Sequence, residues 1–475
     1  MGARPEGPNA WTRRSRSPRV VLASVCVGAW WCASCPSPRR GASGPKVDVT
    51  ALPKAIPWAE LKEAERTAAR SLMTRVAALL SEGKTQRRAC LALANAARAA
   101  KLRELPVARA DAPATRPTAP FFFTFREQAL AVYVPGELAA HEGLVLHVHS
   151  LGAPALALKP RPAYAKHGWT LLDTREHGTV DLPYWLSTPL ALYGDALGDG
   201  VRERTLTLGE APDSPKLVIP DLLIHLAYRH AQRVKLASRE QLDPIVGAPT
   251  TAAAPEDADA PAVLPAPLDA IARTGGFATG EWTLVPAGPA QRLGADTSLL
   301  AGYGQAHRTL AFLTFARLTT QGAPKARRPQ LLIFNAGQGA GDTERFFIRY
   351  AVSRALETAL GPLPDEAVGR IWAKSVIVLG AQAGGALGRG VVVNARQSEV
   401  DRDVLRAALD LFRVHHVPHQ LLDVRGASAA PGLTTLEAPV LELALPVGGA
   451  GRPYELTTLF DLAAATRALT ALVRM

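Results

Sequence analysis

Aromatic residues are scarce in this 475-residue chain, at 6%, and methionine is scarcer still, at three. A nucleic-acid surface of interleaved basic side chains and stacking rings has little to be built from. The formal net charge is +12, yet the excess is not spread along the chain. Eight basic residues against one acid, Glu6, lie before position 47 and account for seven of the twelve net charges. The remainder is only mildly basic, and no nucleic-acid partner is expected. Cysteine is sparse too. Cys26, Cys32 and Cys35 crowd the first 35 residues and Cys90 stands alone in the rest, which excludes an intrachain disulfide framework in the body. With 48% hydrophobic residues and this length, the chain has enough apolar material for a large core and more than one domain.

The amino-terminal segment, residues 1–45, reads as an export signal. Arg13, Arg14, Arg16 and Arg19 precede an apolar stretch, Val20 to Trp31, of signal-peptide length and too short to span a bilayer. Cys32-Ala33-Ser34-Cys35 then places small residues before a cysteine, in the manner of a bacterial lipobox with Cys35 as the acylated residue. An ordinary cleaved signal, or a start codon placed too early, would read the same way. The expectation is an exported protein, membrane-anchored through lipid or periplasmic.

Apolar residues at Leu61, Ala64, Ala68, Leu72, Val76 and Leu79 predict an amphipathic helix over Trp58 to Leu80, stopped by Gly83. A second helix is expected from Arg88 to Lys101, a loop over 106–120, and strands over Phe121 to Val134 and Leu144 to His149. Residues 153–210 read as β structure, Pro220-Asp221 opens a helix to about Leu236, and 247–267 is an Ala/Pro/Asp insertion. After Asp296 strands alternate with helices. Helices are predicted over Arg308 to Leu318, Thr343 to Leu360, Ser398 to His416 (behind a capping box) and Leu456 to Val473. Strands are predicted at Gln330 to Ala336, Ser375 to Gly380, Gln420 to Val424 and Val440 to Leu445. The fold class is α/β, a mostly parallel sheet covered by helices, with a β-rich insertion.

Several segments, in order, resemble the aspartyl aminopeptidase family of zinc exopeptidases in its bacterial aminopeptidase I branch. They are Leu158-Lys159-Pro160 to Tyr164, Trp185 to Gly194, and Ile219-Pro220-Asp221 to Ala227 with His225. Leu284 to Gly288, Gly294-Ala295-Asp296 and Tyr303-Gly304-Gln305 with Arg308 continue the match, followed by Leu387 to Val393, Pro453-Tyr454-Glu455 and Asp461. The resemblance implies a zinc-peptidase α/β domain from residues 50–154 and 291–475, with a dimerisation domain inserted at 155–290. It also implies assembly of dimers into larger shells, and a role for His225 across a dimer contact; a locally satisfied helix histidine is the plainer reading.

Co-catalytic zinc peptidases need two metals sharing a bridging carboxylate, with a further glutamate as general base. The resemblance places those groups at positions where this chain differs. Ala306 falls where the bridging aspartate would be, in Tyr303-Gly304-Gln305-Ala306-His307-Arg308. No Asp or Glu occurs from Thr297 to Gly341, where bridge, base and ligand are expected, and no Asp, Glu or His from Ile371 to Ser398. Gly451 replaces the last histidine, and no histidine follows His419. At the first ligand, Ser150 occupies the position and Gly152 that of its orienting aspartate, unless one inserted residue brings His149 there instead. His149 and His307 are the two imidazoles left near the old site. Gly337 to Gly341 could cradle an anion at a helix N-terminus, although a relic of the family's Gly-rich turn is simpler. His415, His416 and His419 read as solvated or dipole-compensating groups at a helix end. Other catalytic signatures, such as a Gly-x-Ser-x-Gly elbow or His-Glu-x-x-His, are absent. The expectation is a catalytically inactive homologue acting as an envelope binding or scaffold lipoprotein. It would hold no cofactor, with itself as partner and a peptide or envelope protein as a further one. The alternative is an active metal-dependent aminopeptidase with displaced zinc ligands.

Overall fold

A computed structural model describes residues 62–106, 119–166, 169–197, 203–220, 243–247, 264–319, 323–335, 342–380, 384–395, 399–422 and 438–475. The segment read as an export signal, with Cys35, the helix expected from Asp221 with His225, most of the Ala/Pro/Asp stretch, Gly337 to Gly341 and Ser398, the expected cap, lie outside them.

The chain opens with two helices, α1 (Glu63–Glu82) and α2 (Gln86–Ala99). Gly83 ends α1 by donating to the Leu79 carbonyl at 2.8 Å, and Thr85 caps α2 by accepting from Arg88 N–H. Strands β1 (Arg103–Glu104), β2 (Phe121–Phe125), β3 (Ala129–Val134) and β4 (Val145–Ser150) follow. The continuous strand expected over Phe121 to Val134 is in fact a hairpin. Arg126 and Glu127 both take positive φ (47° and 55°), and Gln128 N–H returns to the Phe125 carbonyl, the two-residue turn that matches strand twist.

After β4 the chain enters a second sheet: β5 (Ala155–Lys166), β6 (Trp169–His177), β7 (Pro189–Leu197), β8 (Glu203–Leu208), β9 (Leu217–Val218), β10 (Ile245–Gly247) and β11 (Glu281–Pro286). Its order is β11-β5-β6-β10-β9-β7-β8, and β11 also pairs with β7, which closes six of the strands into a barrel with β8 alongside. Leu156, Leu172, Leu190, Leu192, Trp185 and Leu284 fill it. Helices α3 (Ala266–Arg273) and α4 (Gly276–Thr279) lead into β11.

The chain then returns through β12 (Gln291–Leu293), β13 (Leu299–Gly302) and α5 (Gln305–Thr319). The order thereafter is β14 (Gln330–Asn335), α6 (Asp342–Leu360), α7 (Asp365–Lys374), β15 (Val376–Gly380), β16 (Val391–Asn394), α8 (Glu399–Val414), β17 (His419–Leu422), β18 (Val440–Ala444), β19 (Glu455–Thr458) and α9 (Leu459–Leu472). The main sheet runs β1-β2-β3-β14-β4-β15-β18-β16-β17, with antiparallel pairings only at β2–β3, β3–β14 and β16–β18. It is a mixed sheet, parallel at its centre. Central strands buried on both sides read as continuous apolar runs. Leu332, Phe334 and Val378 face the cluster with α1, α2, α5, α8 and α9, whereas Leu331, Ile333, Ile377 and Leu379 face α6 and α7. The closing helix starts three residues later than its apolar pattern suggests. Residues 455–458 pair with β13, and Thr458 then caps α9 by accepting from Asp461 N–H at 3.0 Å.

Candidate functional site

Strands β14, β4, β15 and β18 are parallel and in register, so Asn335, Ser150, Gly380 and Ala444 share one edge. Ligands of open α/β sheets bind beyond such carboxyl ends. The sequence candidates Ser150 and Gly152 lie at this edge. Ser150 Oγ accepts from Gly152 N–H at 3.2 Å, a local turn that satisfies the hydroxyl within the protein.

His149 sits one residue before that edge. Its ring stacks on Phe334 at 5.8 Å, and it lies so close to Gly380 that a Cβ there would come within 2.2 Å of His149 Nδ1. Only glycine at 380 leaves the ring its place. His147, two residues earlier and on the same strand face, was not singled out in the sequence, although the Leu-His-Val-His alternation carries that signal. Its Nε2 bonds Gln330 Oε1 at 2.8 Å. Burial pulls His147 down to about 4; burial and then His147 pull His149 down to about 3. His307, in the first turn of α5, is likewise pulled down to about 3 by burial and then by the Arg308 charge. These rings are neutral bases at pH 7, the form that binds metal. His149 Nε2 and His307 Nδ1 are buried without a hydrogen-bond partner.

Glu455 is an acid that joins positions 306 and 451. It is buried, with Oε2 accepting Ala306 N–H at 2.8 Å and Oε1 accepting Gly451 N–H at 2.9 Å. Burial raises its carboxyl to about 7, against the opposing pull of those N–H groups and of Arg308. The retained Gln305 and Arg308 are structural here. Gln305 Nε2 donates to the Leu300 carbonyl at 3.0 Å and to the Glu455 carbonyl. Arg308 donates to the carbonyls of Leu151 at 2.7 Å and Lys84 at 3.0 Å, and lies over the Tyr303 ring. Tyr303 in turn donates its hydroxyl to the Pro154 carbonyl at 2.6 Å. Pro453 lies in the turn between Gly451 and Glu455. Lys159 is on the barrel, ion-paired to Asp173 at 2.7 Å. Asp221 and His225 fall outside the described residues.

A mixed sheet, parallel at its centre, with a closed barrel inserted after its fourth strand in chain order, defines an α/β class with a β-rich inserted part. The chain belongs to the M18 family: the family model for aminopeptidase I zinc metalloprotease (M18) matches residues 79–332. Among curated relatives, a probable M18 family aminopeptidase 1 of Thermotoga neapolitana is 29% identical over 247 residues, 50% of this chain and 54% of the relative. One from Borreliella burgdorferi is 26% identical over 270 residues, 55% and 57%. The chain thus spans about half the length of the curated relatives it matches. The fold is that of the aminopeptidase I crystal structure from Borrelia burgdorferi, with TM-score 0.72 at 21% identity over 88% of this chain and all of that one. A solved S. cerevisiae mApe1 dodecamer gives TM-score 0.64 at 12% identity over 86% of this chain and 97% of that one.

Membership of a zinc metalloprotease family corrects the expectation that no cofactor is involved: zinc is the group the family implies. The positions to which the resemblance assigns the zinc ligands offer little to hold a zinc pair. Ala306 and Gly451 offer no donor side chain, and the carboxylate nearest Gly380 along the β15–β18 pairing, Glu442, accepts from Asn394 Nδ2. Among the described residues no three His, Cys, Asp or Glu side chains stand together as a metal-holding group. Three buried imidazole nitrogens, His147 Nδ1, His149 Nε2 and His307 Nδ1, have no hydrogen-bond partner, and beyond burial His147 lowers His149 while Arg308 lowers His307.

Proposed function

We propose that this chain engages peptides at the carboxyl ends of the parallel strands, and that release of the N-terminal residue by metal-dependent hydrolysis is the reaction to test first. Family membership over residues 79–332 carries this reading. Because the inherited positions lack donors, such an enzyme needs a rearranged site, and the buried neutral His149 and His307 are its candidate nitrogen ligands. The residues present determine what the cleft does besides. Glu455 fixes the start of α5, and the Arg308–Leu151 bond holds the loop after β4 against that helix.

A second reading is favoured by the substitutions themselves. With Ala306 and Gly451 in place of ligands and no acid from Thr297 to Gly341, the chain would bind without hydrolysis, as an exported, self-associating scaffold. One preparation separates the two: protein purified without chelator, assayed for zinc and for amino-acid release from aminoacyl-p-nitroanilides. Release that is abolished by chelator and restored by zinc supports the enzyme. Absence of release across a panel of such substrates, with zinc added, supports the scaffold.

A further inference from the structure

The misfit between this chain and a zinc pair extends to the backbone. Gly451 has φ +81°, and a Cβ there would lie 2.7 Å from the Thr179 carbonyl oxygen. Any side chain at 451, a histidine included, meets both strain and collision. The carbonyl of Gly451 is also taken, by Trp185 Nε1 at 3.0 Å and Asp181 N–H at 3.1 Å. Ala306 packs its methyl against the apolar cluster of α1, α5 and α9. Between these two positions stands one carboxylate. Glu455 accepts the N–H of Ala306 with one oxygen and that of Gly451 with the other, so it cross-links the first turn of α5 to the turn before β19. A carboxylate at the exposed N–H groups of a helix start is favourably placed for both hydrogen bonding and the helix dipole.

We infer that Glu455 is itself the tie between these two segments, so that the frame they form does not depend on zinc at positions 306 and 451. The inference rests on positions 306, 451 and 455; a zinc ion held instead by His149 and His307 would leave it standing, so its main test is made in a His307→Leu chain, which lacks that candidate ligand. Thermal unfolding of the His307→Leu chain is followed after dialysis against chelator and again with excess zinc. The expected Tm values agree within about 1 °C, because a ligand that binds the native state raises Tm only where it binds. Glu455→Gln, which replaces one accepting oxygen by an amide N–H group facing a donor, is expected to lower Tm by several degrees relative to its parent, with or without zinc. Gly451→His is expected to lower Tm without gaining zinc. A His307→Leu Tm that drops by several degrees in chelator and returns with zinc overturns the inference. So does a Glu455→Gln Tm equal to wild type, or a Gly451→His variant that gains both zinc and Tm. Should either of these two variants fail to fold, the His307→Leu comparison still decides.

Discussion

His147, His149 and His307 are buried bases held neutral, while Glu455 and Asp461 are buried acids raised by burial, to about 7 and about 6. The two sets act on stability in opposite directions. A histidine whose folded pKa is depressed binds fewer protons in the native state than in the unfolded chain below pH 6.5, so its contribution is lost as pH falls through that value. An acid whose folded pKa is raised holds an extra proton in the native state between its unfolded and folded values, so its contribution declines as pH rises through that window. The wild-type profile is therefore a partial cancellation, and a single substitution reveals the histidine part. His307→Leu removes a ring whose Nδ1 has no partner. Its stability relative to wild type is expected to improve by about 1.4 kcal/mol per pH unit from pH 6.5 to 5, read from urea unfolding at each pH. A difference that stays flat with pH would show that His307 titrates normally and is not sealed in the core.

Between elements, the loop joining α1 to α2 carries the main latch to the barrel. Lys84 is buried, bonding Glu210 at 2.7 and 2.9 Å and the carbonyls of Pro286 and Gly288 at 2.8 and 2.6 Å. Burial lowers its pKa even though Glu210 pulls the other way. Lys84→Met removes the ammonium from Glu210, which keeps Gly288 N–H at 3.2 Å, and from two carbonyls, and is expected to cost about 2–4 kcal/mol in denaturant unfolding, since breaking one partner of a buried pair leaves the other under-satisfied. A cost under about 0.5 kcal/mol would mean that the latch contributes no more than an exposed ion pair. Nothing in the sequence announces this pair, because its members are 126 residues apart and each alone is an ordinary surface residue type. Local pattern is more legible. The α1 helix follows from its periodicity, yet its buried face is Ala69, Leu72, Met73, Val76 and Leu80, turned away from the exposed Ala64 and Ala68 that the apolar pattern includes. Alanine counts as apolar without deciding a face. Motif order alone assigns Ala306 and Gly451 to ligand positions. The positive φ of Gly451 and the two-sided grip of Glu455 are not, because both depend on the barrel and β13 packing against that turn. The Trp185 to Gly194 segment has a packing reason too: a Cβ on Gly194 would sit 1.9 Å from the Trp282 ring across the β7–β11 pairing.

At the scale of the whole molecule, the chain has the mixed sheet and barrel of the solved structures it resembles, and the proposal concerns the side chains at the positions the resemblance assigns to zinc. Among the described residues, the segment that the resemblance assigns to dimerisation closes into a barrel, and solved structures of this fold include a dodecamer. Self-association of the body, residues 46–475, is accordingly proposed, and light scattering at micromolar concentration without added metal is expected to give a dimer or larger; a clean monomer would remove that proposal. More narrowly, it is proposed that the positions the resemblance assigns to zinc ligands hold no pair of zinc ions. Two metals roughly 3.5–4 Å apart need a shared bridging donor and several more, and Ala306, Gly451 and the acid-free stretch from Thr297 to Gly341 supply none. The most direct measurement is the zinc content per chain of protein purified without chelator, after gel filtration into metal-free buffer. The account predicts fewer than two zinc ions per chain; two tightly retained zinc ions, with loss of aminopeptidase activity on their removal, would contradict it.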